Sequence, residues 1–183
     1  MKRSSSSRVF LIAIMVAAGV LTSSSAMAAV DMFLKITGIK GEVLDTIHRD
    51  EIEVLAWSWG TSTGTARTVK SALPAVCVQD LSFTKVIDVA SPQLILNSVT
   101  GVVAPEAILT IRKSGRDQQE YLILRMSNVT VVSYSTGIGG LDERLSENVA
   151  LHFESMRGEY RRQKADGTLD TPVFFDVSGG SCR

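Results

Sequence analysis

The chain has little of the residue types that announce a chemistry. Two Cys and two His in 183 residues are too few for a zinc ribbon or a Cys/His metal cluster, and two Cys do not make a disulfide-dense scaffold. Four prolines exclude a collagen-like or low-complexity chain, and no Pro-rich linker or internal repeat divides the sequence. Neither sign of charge dominates: nineteen Lys+Arg balance nineteen Asp+Glu, for a formal net charge of zero. No sustained basic field is therefore on offer to nucleic acid. There is no G-x-S-x-G nucleophile elbow, no P-loop and no G-x-G-x-x-G. What is there is ordinary globular material, 45% hydrophobic, 21% charged and 6% aromatic, at a length that suits one domain.

The amino-terminal segment is set apart. Lys2, Arg3 and Arg8 precede an uncharged run, Val9 to Leu21, and then Thr22-Ser23-Ser24-Ser25 and Ala26-Met27-Ala28. This is the layout of a secretory signal peptide with an A-x-A site cleaved between Ala28 and Ala29. The run is shorter than the roughly 20 residues of a bilayer span, so an uncleaved membrane anchor is the weaker alternative. The sequence thus divides into a leader, 1–28, and one domain, 29–183. Losing Lys2, Arg3 and Arg8 leaves 16 basic against 19 acidic residues, a net charge of −3. Export would place Cys77 and Cys182 in an oxidising compartment. A bridge between them would close a loop of about 100 residues and stabilise the fold by roughly 4 to 5 kcal/mol on the chain-entropy estimate. The alternative is a small buried Cys77 and a frayed tail at Cys182.

The domain reads as strands and turns. Strands are expected over Met32–Ile36, Glu51–Trp59, Val76–Ile87, Ala107–Lys113, Tyr121–Ser135 and Glu147–Arg161, where β-branched and aromatic residues are frequent. Ser114-Gly115-Arg116-Asp117 reads as a hairpin turn, and Val173–Val177 as a strand that could close the sheet. One helix is expected, with Ser91 as N-cap, Pro92 in the first turn, Leu94-Ile95-Leu96 as the apolar face and an end before Gly101. The fold class is mainly β: a small antiparallel barrel or sandwich with one short helix on its side.

Candidate sites are few. Gly137-Ile138-Gly139-Gly140 follows a strand without opening a helix, as a hairpin loop does and a phosphate cradle does not. His48 lies in a charged turn and His152 in a strand, neither with a second ligand at metal spacing. Asp142, Glu143 and Glu147, with Arg144 among them, read as a solvated patch of mixed charge. In a strand, Trp57 and Trp59 share one face and fill the core, while Ala56 and Ser58 lie on the other. A face of small residues suits close approach by another subunit or a folded guest. No enzyme, cofactor, metal site or small-molecule substrate is expected from these residues.

The strings Val30-Asp31-Met32-Phe33-Leu34-Lys35-Ile36, Ile52-Glu53-Val54-Leu55-Ala56-Trp57-Ser58-Trp59-Gly60 and Val78-Gln79-Asp80-Leu81-Ser82-Phe83-Thr84-Lys85 resemble the haemolysin-coregulated protein (Hcp) family. Leu109-Thr110-Ile111-Arg112-Lys113, Glu120-Tyr121-Leu122-Ile123, Ser135-Thr136-Gly137, Arg144-Leu145-Ser146-Glu147-Asn148-Val149 and Gln163-Lys164-Ala165-Asp166-Gly167 follow in the same order. The likeness runs from about Val30 to about Thr171.

The resemblance implies a barrel with a flanking helix, six copies of which close into a ring. Rings stack into the tube of a type VI secretion system, driven out with its spike by a contractile sheath, and the lumen holds small effector proteins. It implies that Ser58 and Ala56 face the lumen, and that Gly41 to Asp50 is the extended loop toward the adjoining ring, with Glu42, Asp45, His48 and Arg49 as its polar contacts. A solvated connection is the plainer reading of that loop. Two departures stand out. Thr61 to Ala75, with Arg67, Lys70 and Pro74, replaces the family's Gly-rich stretch, and tube subunits ordinarily have no cleavable leader. Either translation starts at Met27, where Met27-Ala28-Ala29-Val30-Asp31-Met32 resembles a family start, and the protein is cytoplasmic before secretion, or the leader is used and the chain passes through the periplasm. The second case admits an exported, ring-forming carrier that works without the injection apparatus.

Overall fold

The computed structural model describes residues 30–64, 75–115, 118–137 and 145–178. In chain order they form β1 (Val30–Ile36), β2 (Ile52–Glu53), β3 (Ala56–Ser58), β4 (Thr61–Gly64), β5 (Ala75–Val78), β6 (Leu81–Val86), α1 (Ser91–Thr100), β7 (Val103–Lys113), β8 (Glu120–Gly137), β9 (Ser146–His152), β10 (Ser155–Tyr160) and β11 (Val173–Ser178). The class is mainly β with one short helix, as expected. The main sheet is antiparallel in the order β2-β1-β7-β8-β9-β6-β3, with β10 pairing both β8 and β11; β4 and β5 form a separate hairpin. The expected closed barrel is not formed. β2 ends the sheet at one side and β3 at the other, and Val173–Val177 pairs only with β10.

The two sheet ends are nevertheless spanned by adjoining residues. The Val54 N–H donates to the Met32 carbonyl of β1 at 3.0 Å, and the Leu55 N–H to the Thr84 carbonyl of β6 at 2.8 Å. The chain changes partner between these residues, and its side-chain alternation changes with it. Ile52 and Val54 are buried, Leu55 is exposed, and Trp57 then turns inward beside Phe83. The single strand expected over Glu51–Trp59 is therefore two strands with opposite parity.

β8 makes the same kind of change twice. Leu124 and Met126 are buried; beyond Asn128, at φ 50°, the buried residues are Val129 and Val131. A second irregularity between Val131 and Ser133 turns Tyr134 inward. Only the second is a bulge, slipping the pairing with β9 by one residue; at Asn128 the pairing on both edges keeps its register and the left-handed backbone alone changes which side chains point inward. The facing strand answers at the first: Phe153 and Met156 are both buried, and Asn128 Nδ2 donates to Glu154 Oε2 at 2.6 Å. Glu147–Arg161, expected as one strand, is thus β9 and β10.

The core is one cluster, with Leu34, Ile52, Leu81, Phe83, Leu94, Leu109, Leu124, Leu151 and Met156 at its heart. Trp57 and Trp59, expected in the core, are half-buried at its margin. Trp59 stacks on Phe175 of β11 with ring centroids 6.2 Å apart. That ring lies where a Cβ on Gly158 would stand, 2.1 Å from its nearest carbons, so only glycine permits the stack at this distance.

At the helix end of the core a charge replaces a hydrocarbon. Lys85 and Glu147 face each other across β6 and β9, both fully buried, with Nζ 2.9 Å from Oε2. Glu147 was expected in an exposed patch; strand alternation places it inside, while Asp142, Glu143 and Arg144 lie outside the described residues. Lys85 Nζ also donates to the Val86 carbonyl at 2.8 Å and to Ser91 Oγ at 3.1 Å, and lies 2.7 Å from Asp88 Oδ1. The Tyr134 hydroxyl donates to the other oxygen of Glu147. Burial alone would raise the Glu147 carboxyl, but the bonds from Lys85, Tyr134 and Ser91 outweigh it and hold it below its ordinary range. Burial and the bond to Glu147 push the Tyr134 hydroxyl up to about 12.

Ser91 is therefore not the N-cap. That position is Ala90, with no side-chain cap, and the Ser91 hydroxyl instead accepts from the Asp88 N–H at 3.0 Å and ties the helix to Lys85. Gly101 ends the helix in the left-handed region at φ 66°. Leu94 is buried, but Ile95 and Leu96 are exposed, so the expected apolar face reduces to Leu94.

Lys85→Met should leave Glu147 buried without its partner and cost about 3 to 5 kcal/mol, read as a fall in the urea midpoint at pH 7. The double variant Lys85→Met with Glu147→Leu should recover a large part of that loss. A double variant as unstable as the single one would show that the charge is not what the site holds in balance.

Candidate functional site: a hydroxyl-lined sheet face and an anchored loop

Four neighbouring strands, β3, β6, β9 and β8, turn a row of small residues outward at each of two successive registers. Ala56 opposes Thr84, Thr84 opposes Asn148, and Asn148 opposes Ser135. One register along, Ser58 opposes Ser82, Ser82 opposes Ala150, and Ala150 opposes Ser133. The eight form the floor of a shallow hollow of about 280 Å³. None of them carries a charge, and the longest is an asparagine, whose Oδ1 accepts from Thr84 Oγ1 at 2.7 Å. At the end of this floor His152 Nδ1 pairs with Asp80 Oδ1 at 2.8 Å. Ala56 and Ser58 stand exposed on this face, opposite the side on which Trp57 meets the core. The alternation read from the sequence holds here; six of the eight residues were not singled out, because only cross-strand register brings them beside Ser58.

The second feature lies on the outer face of β1 and β7, under the segment 41–50. Phe33, Thr110 and Arg112 have outward parity yet are buried, because the loop folds back over them. Gly41 starts this return so close to the exit strand that a Cβ would lie 2.1 Å from the Glu51 carbonyl oxygen. The Gly41 N–H donates to the Asp50 carbonyl at 2.8 Å, the Val43 N–H to the Glu51 carbonyl at 3.1 Å and the Asp50 N–H to the Val43 carbonyl at 3.0 Å.

Of the four polar residues expected to reach outward, two reach inward. Asp45 Oδ1 accepts from the Ile47 and His48 N–H groups at 2.8 and 3.1 Å, while Oδ2 accepts from Arg112 Nη2 at 2.7 Å. The bond from Arg112, helped by that from Ile47, holds the Asp45 carboxyl far below the usual carboxylate range. Arg112 also bonds Asp31 at 3.3 Å and lies over the Phe33 ring, 4.7 Å from its centroid. His48 is 5% exposed and stacks on Phe33 at 4.4 Å. Glu42 is exposed, but one oxygen accepts from the Val89 N–H at 3.0 Å and moors the loop beside α1. Arg49 alone of the four stands in solvent without a described partner contact. What the loop presents outward is Leu44, 85% exposed, and Ile47, 67% exposed. Sequence reading missed both, since a charged turn draws the eye to its charges.

The sequence profile of the family described as "Type VI secretion system effector, Hcp" matches residues 33–160. This chain belongs to the Hcp family. It is 49% identical over 145 residues to the protein hcp1 of Pseudomonas aeruginosa, covering 78% of this chain and 90% of that one. Among solved structures it resembles Hcp1 from Salmonella typhimurium, with a TM-score of 0.69, 34% identity and coverage of 83% and 95% of the two chains. A second solved structure, of a type six secretion system protein, superposes with a TM-score of 0.71 at 27% identity, covering 82% of this chain and 96% of that one. The protein is accordingly a tube subunit of a type VI secretion system. Hcp is a family of secreted structural proteins that form hexameric rings, not a family of enzymes.

Other expected features of this Hcp protein fall differently. Cys77 is half-buried on β5, and no free thiol occurs among the described residues; Cys182, Ala28, Ala29, the whole leader and the loop residues Ile138, Gly139 and Gly140 lie outside them. Arg67, Lys70 and Pro74 do also, although the flanking Thr61–Gly64 and Ala75–Val78 pair with each other.

Because Asp45 titrates below its ordinary range, its contribution is essentially complete above about pH 4.5 and is lost progressively as pH falls from the ordinary carboxylate value through the lowered one. Asp45→Asn should cost about 1 to 3 kcal/mol at pH 7, with the same deficit at about pH 4.5 and a shrinking one in stronger acid. Urea unfolding of both proteins across that range checks it; a deficit already gone at pH 4.5 would contradict the Arg112 pairing.

Proposed function

We propose that the hydroxyl-lined face of β3, β6, β9 and β8 is the lumen wall of the Hcp ring, with Ser58 and Ala56 in contact with guest effector proteins. The observation that carries this reading is the continuous pair of registers, four strands wide, without a charge or a bulky side chain. A wall of short hydroxyls can approach a folded guest closely and bond it at many points, while fixing no single charge pattern. The outward loop 41–50 contacts the adjoining ring, and its apolar tip at Leu44 and Ile47 gives that contact area, with Arg49 beside it. The spike, the contractile sheath and effector cargo are then the partners of this chain.

Ser58→Trp tests the wall. The residue is exposed on a sheet face, so the variant should fold and form rings, while an indole standing into the lumen should reduce effector co-purification by about tenfold or more. Unchanged retention with intact rings would remove Ser58 from the lumen, and lost ring assembly would place it at a subunit contact instead.

Cys77 and Cys182 are proposed to pair, and the route of the chain is tied to the same question. Native mass spectrometry of protein from its own cells, followed by denaturation, reads subunit number, first residue and cysteine oxidation together. Six subunits starting near Met27 with free thiols mean a cytoplasmic tube protein before secretion. Six subunits starting at Ala29 with oxidised cysteines mean an exported ring and favour the carrier reading.

A further inference from the structure

At the base of the loop the charges do not balance. Four carboxylates gather here around one guanidinium and one imidazole: Asp31 from β1 and Asp45 from the loop meet Arg112 of β7, while Glu51 at the loop's exit and Glu120 from β8 meet His48. Arg112 is taken by Asp31 and Asp45, and Asp31 also accepts from the Ser114 hydroxyl. Glu51 and Glu120 are left facing His48. Its Nδ1 lies 2.9 Å from Glu51 Oε2, and its Nε2 lies 3.3 Å from Glu120 Oε1, close enough for charge pairing though misaligned for a hydrogen bond. The outlying charges, Arg49 and the Lys40–Asp50 pair at 3.8 Å, stand in solvent.

A neutral imidazole has one N–H and one lone pair. With a carboxylate at each nitrogen, either tautomer turns that lone pair on an anionic oxygen, and the ring itself is buried under the loop against Phe33 while Glu120 keeps part of its contact with water. An unsatisfied buried acceptor facing another acceptor is costly. The imidazolium presents N–H to both carboxylates.

The geometry points to His48 as a proton-operated clasp: charged, it holds the loop's exit at Glu51 against β8 at Glu120, and neutral, it gives up the Glu120 contact and loosens the loop from β1 and β7. The sign follows from the two acceptors. The clasp is complete while His48 is charged and opens when the ring gives up its proton with rising pH; the groups facing it are carboxylates and a guanidinium, whose charges do not change in that direction. The consequence for ring stacking rests on the proposed contact of this loop with the adjoining ring. The clasp itself does not.

Hydrogen exchange of residues 41–50 in the full chain, at about pH 5.5 and about pH 8.5, tests it against His48→Gln. After correction for intrinsic exchange rates, the wild-type loop should lose about tenfold in protection at the higher pH, and the variant should show no such change. Equal protection at both pH values in the wild type, or the same loss in the variant, overturns the clasp. Should His48→Gln fail to fold, ¹⁵N spectra of the wild-type imidazole decide. Two protonated nitrogens at the lower pH support it, and a single neutral tautomer there overturns it. Sedimentation of stacked rings is read separately: a loop that loosens with pH while stacking stays constant retains the clasp and counts against the loop-to-ring contact.

Discussion

The long strand β8 constrains everything around it. Over Glu120–Gly137 it must satisfy two edges of backbone donors and acceptors, and one edge is taken along most of its length by β7. The other edge is divided, with β10 over residues 122–127 and β9 over 130–137. The left-handed residue Asn128 is where this division falls. It lets one half of the strand continue into β9, β6 and β3, and the other half into β10 and β11. Because the backbone change at Asn128 also reverses which side chains point inward, a single core can lie under both halves.

The outer faces of the same sheet serve opposite ends. On β3, β6, β9 and β8 the outward residues are short, neutral and uncovered. On β1 and β7 they are Phe33, Thr110 and Arg112, and the returning loop covers them. The difference is one of solvation. Serines and threonines on an open face keep their water and need no partner, whereas an arginine under a loop loses its water and must be met by carboxylates at hydrogen-bond distance. Charge is thereby withdrawn from the open wall and gathered at two buried places, the Lys85–Glu147 pair beside the helix and the Arg112 cluster beneath the loop.

The mainly β class, the single helix and its stop at Gly101, and the outward position of Ala56 and Ser58 were legible from residue order alone. Period-two alternation and left-handed glycine geometry are local, and local rules hold wherever the chain stays in one register. The succession of family strings was equally legible, being a pattern of adjacency. Legibility stopped wherever the strand changed register or partner. Glu51–Trp59 looks continuous in sequence, yet its hydrogen bonds pass from β1 to β6 between Val54 and Leu55. Glu147 sits among acidic neighbours in sequence, yet strand alternation turns it onto Lys85, more than sixty residues away.

The sequence by itself determined what this chain is made to be: a charge-balanced β domain bearing the strings of a type VI tube family, with the small residues of one strand set on a common face. The tertiary structure decided where those residues stand and what they meet. It assembled eight side chains from four strands into one open face, drew His48 and Asp45 from the surface into a buried cluster, and left Leu44 and Ile47 exposed on the loop. The physical reason is that composition and alternation are properties of neighbours along the chain. Burial, ion pairing and protonation depend on groups that meet only when distant strands fall into register.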